Sequence, residues 1–204
     1  MKPDAVYCIN LDRRTDRWAQ CQLEFARLGL PVTRFAALSQ PTPTRGLCLS
    51  VARILEQAQA RNLANVLILE DDVEFVHLEK LHDPPEDFDL YYLGFMAHVV
   101  SKFEIVNERW IRLLAHCSCA HAIIYAARIF PTVIAGLRSA AILDDWLDTH
   151  IQPRGATYAN NPPVALQRNS PSDLSPEPYR QIMHKALLDQ HGLVTLRGGQ
   201  PITF

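Results

Sequence analysis

The 204-residue sequence has no CxxC pair, no GxxxxGKS or GxxxxGKT loop, no glycine-rich turn after its first apolar run, and only 8 glycines in all. The missing loop and turn remove P-loop and dinucleotide-fingerprint chemistry, both of which need glycine where the backbone must approach a phosphate closely. Five cysteines (Cys8, Cys21, Cys48, Cys117 and Cys119) make an odd count. They read as buried free thiols, because a tetrahedral zinc site needs ligands that no neighbouring motif supplies, and a reducing cytosol suits them. Charge of one sign is also lacking: 20 Lys plus Arg stand against 22 Asp plus Glu, a balance of −2. That removes the bulk electrostatic case for nucleic acid. No run approaches the roughly 20 apolar residues of a membrane span, and Met1-Lys2-Pro3-Asp4 puts charge and proline where a signal peptide would place its apolar core. A cytoplasmic protein is expected, with peripheral contact to the inner face of a membrane as the closest approach to lipid.

What is present is an ordinary globular composition, 48% hydrophobic and 21% charged, sized for one core. Ala5-Val6-Tyr7-Cys8-Ile9 predicts a strand buried on both faces. Trp18, Cys21, Phe25 and Leu28 then recur at helical spacing from Thr15, with Gly29 placed to cap the helix. Pro31 to Ala37 offers a second strand. Gly46 opens a helix carrying Leu47, Val51, Ile54, Leu55 and Ala58 on one face and ending near Asn62. Val66-Leu67-Ile68-Leu69 is a compact buried strand that runs directly into Glu70-Asp71-Asp72. Leu90 to Phe95 and Ala120 to Tyr125 predict further strands, Phe103 to Leu114 a hairpin, and Pro131 the first turn of another helix. Six prolines between residues 150 and 180 predict mostly loop there, and Tyr179, Ile182, Met183, Ala186 and Leu187 predict an amphipathic helix ended by Gly192. Strands alternating with helices imply an α/β domain with a Rossmann-like, mostly parallel sheet. The expected division is a domain over residues 1–175, with a C-terminal helix and tail over 176–204 packed on it.

In such sheets ligands sit beyond the carboxyl ends of the strands, where the acidic triplet lies. In extended chain Glu70 and Asp72 point one way and Asp71 the other, so the triplet can address two objects at once, such as a metal ion and a sugar hydroxyl. A solvated acidic turn is the alternative. Asn10-Leu11-Asp12-Arg13-Arg14-Thr15-Asp16-Arg17 leaves the first strand and enters a helix amino terminus, where backbone N–H groups with Arg13, Arg14 and Arg17 can hold a diphosphate. Here the alternative is a solvated helix face paired with Asp12 and Asp16. His121 lies among Ala and Ile in an apolar strand and reads as a satisfied core histidine.

The segments Ile9 to Trp18 and Val66 to Phe75 together resemble glycosyltransferase family 25, the bacterial lipopolysaccharide and lipooligosaccharide sugar transferases and collagen galactosyltransferases. Gly46-Leu47-Cys48-Leu49-Ser50 resembles the family's glycine-to-serine segment. Leu93-Gly94, Ala120-His121-Ala122 and Asp144-Asp145-Trp146-Leu147 resemble its later blocks, and Pro163, Gln167 and Ser172-Asp173 its closing element. The similarity spans roughly residues 5 to 175. It implies a GT-A type fold, a nucleotide-sugar donor, usually a UDP-sugar of galactose or glucose, and Mn²⁺ or Mg²⁺ at a DXD-like motif occupied by Glu70, Asp71 and Asp72. Asp72 then falls on the metal and Glu70 near the ribose, with Asn10, Leu11, Arg13, Arg14, Arg17 and Asp71 as further donor contacts. Two departures stand out: Glu at the first position of the motif, and Val51 where a His often follows Ser50.

The resemblance further implies inversion at the anomeric carbon, which needs a base to take the proton of the attacking hydroxyl. Asp144 or Asp145 is the candidate, a plain helix cap being the other reading. Gln167, Ser172 and Asp173 sit in a stretch long enough to close over a diphosphate. The acceptor expected is a glycan of the lipopolysaccharide kind. Two other classes compete: an inert transferase-like module that binds a nucleotide or a partner protein, and a metal-dependent nucleotidyl or phosphoryl transferase sharing the strand-end carboxylates.

Overall fold

Alternating burial on two faces sets the architecture from the first strand, β1 (Ala5–Asn10): Val6 and Cys8 join one apolar cluster while Tyr7 and Ile9 join another on the opposite side. The structure is a computed structural model that describes residues 2–97 and 102–168. Helix α1 (Thr15–Leu28) follows and is closed by Gly29, whose φ of 61° is the left-handed conformation that glycine adopts without steric cost. Then come β2 (Thr33–Ala36), α2 (Pro43–Ala60), β3 (Asn65–Glu70) and β4 (Val73–Phe75). They are followed by β5 (Leu90–Tyr92), β6 (Met96–Ala97), β7 (Phe103–Ile105), β8 (Trp110–Leu113), β9 (Cys117–Ser118) and β10 (Ala122–Ala126). Helices α3 (Phe130–Leu137) and α4 (Leu143–His150) and strands β11 (Thr157–Asn160) and β12 (Ala165–Gln167) complete the described chain.

Eight strands form one sheet in the order β2-β1-β3-β10-β5-β11-β8-β7. From the pairings, β8 and β10 run against the other six, so the sheet is mixed and mostly parallel. Cys21 and Phe25 of α1 cover one face, and α2, α3 and α4 cover the other. The expected α/β arrangement, a single domain with the sheet between helices, is therefore present. From β1 the chain goes through α1 to β2 on one side and returns through α2 to β3 on the other, so strand order reverses at β1. In open α/β sheets that reversal opens a crevice at the strand ends.

Several expectations are corrected. Helix α2 begins at Pro43 rather than Gly46, because the proline fits the first helical turn. The proline-rich stretch after residue 150 holds β11, a central strand whose four residues are all buried, as well as β12; both replace predicted loop. The hairpin is present as β7 and β8, and Cys8, Cys21, Cys48, Cys117 and Cys119 are buried and free. The C-terminal helix assigned to Tyr179 through Leu187 lies outside the described residues, as do Ser172 and Asp173. Among the described residues no helix is long and apolar enough to cross a membrane.

Candidate functional site at the reversal of strand order

A cavity of about 280 Å³ opens at the carboxyl ends of β1 and β3, where the sheet topology places a crevice. Glu70, Asp71, Asp72 and Asp144 line it together with Leu11, Arg13, Arg17 and Arg168. Its walls begin three helices: Arg17 from α1, Pro43 and Thr44 from α2, and Leu143 and Asp144 from α4. Free backbone N–H groups and positive dipole ends therefore converge on it, a setting that favours an anion.

The β2–α2 connection forms the far wall through Ala37, Leu38, Ser39 and Gln40. It is pinned by Ser50 of α2, whose hydroxyl accepts from the Leu38 amide at 2.9 Å and donates to the Gly46 carbonyl at 2.7 Å. Val51 is only 1% exposed and belongs to the core, so position 51 does not reach the cavity.

Asp71, in the turn that follows β3, directs its carboxylate to β1 and α1. Its Oδ2 accepts from Asn10 Nδ2 and its Oδ1 from Arg17, both at 2.7 Å. Arg17 also reaches Asp72 Oδ2 at 3.7 Å. This ion pair is nearly dry, with the Arg17 and Asp71 side chains 8% and 10% exposed. The Cys21 thiol donates to the Asp71 carbonyl at 3.1 Å.

The remaining carboxyls resist ionisation. Burial raises Glu70 well above the usual carboxylate range, and the neighbouring Asp72, Asp144 and Asp71 push it further. Burial lifts Asp72 to about 6 against the pull of Arg17, and lifts Asp144 to about 6 against the backbone N–H groups of Cys119 and Ala120. One oxygen of each, Asp72 Oδ1 and Asp144 Oδ1, is buried with no hydrogen-bond partner. Two cavity-lining carboxylates that each carry an unsatisfied buried oxygen fit a divalent cation. No group of three or more His, Cys, Asp or Glu side chains among the described residues forms a closed metal cage. A cation here would take one or two carboxylates from the protein and complete its shell with phosphate oxygens and water, as Mg²⁺ commonly does.

The anticipated residues separate into those at the cavity and those behind it. Leu11, Arg13, Arg17, Glu70, Asp71, Asp72, Asp144 and Gln167 line it. Arg13 is exposed, whereas Arg14 is turned to Asp16, to which its guanidinium donates twice at 3.0 Å. Asn10 is buried and supports Asp71. Asp145 is exposed and does not line the cavity. Its place on α4 explains this: Leu143 and Leu147 are the buried stripe, and at 100° per residue Asp145 points opposite. Gln167 lies in β12 with Val73 of β4 as its register partner, a strand position and not part of a mobile closing loop. His121 is fully buried in the core, as expected, with its Nε2 at 3.0 Å from the Ala165 carbonyl. Cys119, Ile142 and Arg168 also line the cavity and were not anticipated; Arg168 follows a proline-rich stretch with no periodic pattern to mark it.

No protein-family model matches the sequence, and no curated protein matches it. Solved structures do match. A glycosyltransferase involved in glycosylation of the major capsid of PBCV-1 superposes with a TM-score of 0.53 at 9% identity, over 78% of this chain and 81% of that one. A mannose-1-phosphate geranyltransferase from Thermus thermophilus gives 0.44 at 10% identity, over 78% and 74%. The inositol-1-phosphate CTP transferase of T. maritima gives 0.44 at 14% identity, over 83% and 71%. At 9% identity the likeness to the first of these is one of fold: the two share a GT-A-like α/β architecture.

Proposed function

We propose that this protein is a glycosyltransferase of the family 25 kind, moving a hexose, galactose or glucose, from a UDP-sugar to a glycan hydroxyl with inversion and with Mn²⁺ or Mg²⁺. The observation that carries the reading is the pair of carboxylates, Asp72 and Asp144, that line one cavity at the reversal of strand order and each keep one buried, unpartnered oxygen. The motif resemblance over residues 5 to 175 and the fold shared with a capsid glycosyltransferase support it.

When bound at Asp72, the cation supplies Lewis-acid neutralisation of charge on the departing diphosphate. The chain's own residues do the rest. Arg13 and the amino-terminal ends of α1, α2 and α4 orient the anionic donor. The Asp144 carboxylate accepts the proton of the attacking hydroxyl as the new glycosidic bond forms and the bond to the diphosphate breaks. A carboxyl at about 6 is mostly ionised at neutral pH yet basic enough for that transfer. Asp145, exposed and off the cavity, is set aside for this role. A lipopolysaccharide-type acceptor, met by a cytoplasmic protein at the inner face of a membrane, completes the proposal.

Release of free nucleoside diphosphate from a panel of sugar donors, with and without Mn²⁺, tests it. Metal-dependent release from a UDP-hexose is expected. Metal-independent nucleotide binding with no turnover on any donor would instead identify an inert binding module.

A further inference from the structure

The middle carboxylate of the acidic triplet lines the cavity, yet both of its oxygens are taken by the protein. Both Asp71 oxygens are engaged at 2.7 Å, one by Asn10 from β1 and one by Arg17 from α1, and its carbonyl accepts from Cys21 one turn further along that helix. The next carbonyl, that of Asp72, accepts from the Arg168 amide at 2.5 Å, while Arg168 itself donates to Gln20 of α1 and to the Val73 carbonyl. The turn from β3 to β4 is therefore gripped from β1, from α1 and from the residue following β12. With the backbone of this turn and the Asp71 carboxylate held in place, Glu70 and Asp72 on either side of it are held at the cavity wall.

Resting on the glycosyltransferase reading, we infer that Asp71 and Arg17 form a positioning clamp that aims Glu70 and Asp72 into the cavity, and that neither takes part as a ligand to metal or donor. Arg17 has a second role in the clamp: at 3.7 Å from Asp72 Oδ2, its guanidinium offsets the repulsion between adjacent carboxylates. Its position follows from the helix, since Arg17, Cys21 and Phe25 make one buried stripe at intervals of four on α1.

A double-mutant cycle on Arg17→Gln and Asp71→Asn, read by two observables, decides the matter. The first is the thermal midpoint without metal, and the second is the Mn²⁺ dissociation constant from the electron paramagnetic resonance of free Mn²⁺ in the presence of UDP. The clamp predicts that each single variant lowers the midpoint and weakens Mn²⁺ by about 10–100-fold, the usual cost of removing a supporting partner. It also predicts that the double variant is no worse than the worse single one, because the two residues act as a unit. Arg17→Lys, which keeps the charge, should recover part of both losses and remains informative if a harsher variant does not fold. Additive losses would overturn the inference. So would an Asp71→Asn protein with an unchanged midpoint and no Mn²⁺ binding, which would make Asp71 a ligand. If the unaltered protein binds no Mn²⁺ with any nucleotide, the glycosyltransferase reading fails instead, and the metal-free midpoints still decide whether Arg17 and Asp71 are coupled.

Discussion

Gly46 lies so close to Leu38 that a Cβ at position 46 would overlap the Leu38 carbonyl oxygen. Backbone meets backbone here, so neither side can yield cheaply. Gly46→Ala is expected to push the cavity wall at Leu38 to Gln40 outward, lower the thermal midpoint by several degrees and weaken UDP binding. Destabilisation of about 1–3 kcal/mol is the usual cost of overpacking. Calorimetric melting with and without UDP checks both effects.

Ser50→Ala attacks the same loop from the other side. It strands the Leu38 amide, which donates to the Ser50 hydroxyl at 2.9 Å. A loss of about 1–3 kcal/mol in denaturant unfolding is expected, with UDP affinity falling alongside stability. Since Gly46 and Ser50 hold one segment, their combined effect should be less than the sum of the two.

Val51→His restores the residue that the resembled family often carries after this serine. Position 51 is 1% exposed among Ile54, Leu55 and other core residues. The imidazole would be buried without a designed partner, at a cost of about 1–3 kcal/mol. Turnover should not rise above that of the unaltered protein, and the thermal midpoint should drop.

Asp144 sets a pH dependence whose sign is opposite to that of an ion-paired carboxylate. Its folded value of about 6 lies above the ordinary 3.8, so between those values the folded state holds the proton more tightly than the unfolded state does. Stability without metal should therefore fall as pH rises from about 4 to about 6, by up to about 3 kcal/mol from this group. Asp144→Asn should flatten that part of the profile and raise the midpoint at neutral pH while abolishing turnover. Urea unfolding across pH 4 to 7 is the measurement, and a profile unchanged by the substitution would exclude the role of burial at this site.

Much of this could be read from the chain alone. The apolar runs of β1 and β3, the stripe of α1 and its closure at Gly29 are local patterns, and local patterns survive into the fold. The convergence of the Arg13 segment and Glu70 to Asp72 also followed, since both leave the carboxyl ends of parallel strands. Strand direction did not follow: nothing in Ala122–Ala126 marks β10 as antiparallel to both neighbours, because side-chain alternation is the same either way. Nor did β11, four residues between prolines whose burial comes from the strands on either side. The choice of Asp144 over Asp145 was within reach, for the Leu143 and Leu147 spacing already places Asp145 on the outer face. Arg17 was likewise marked by its interval of four from Cys21. A cation in line with a buried stripe is built for a partner inside the protein, which Asp71 supplies.

In the proposed function, Asp72 and a nucleoside diphosphate share one divalent cation in the cavity. Titration calorimetry of UDP with and without Mn²⁺, on the unaltered protein and on Asp72→Asn, tests it most directly. Mn²⁺ is expected to tighten UDP binding at least tenfold in the unaltered protein and not at all in Asp72→Asn, while Asp145→Ala retains the full effect. Equal tightening of UDP by Mn²⁺ in Asp72→Asn would contradict it.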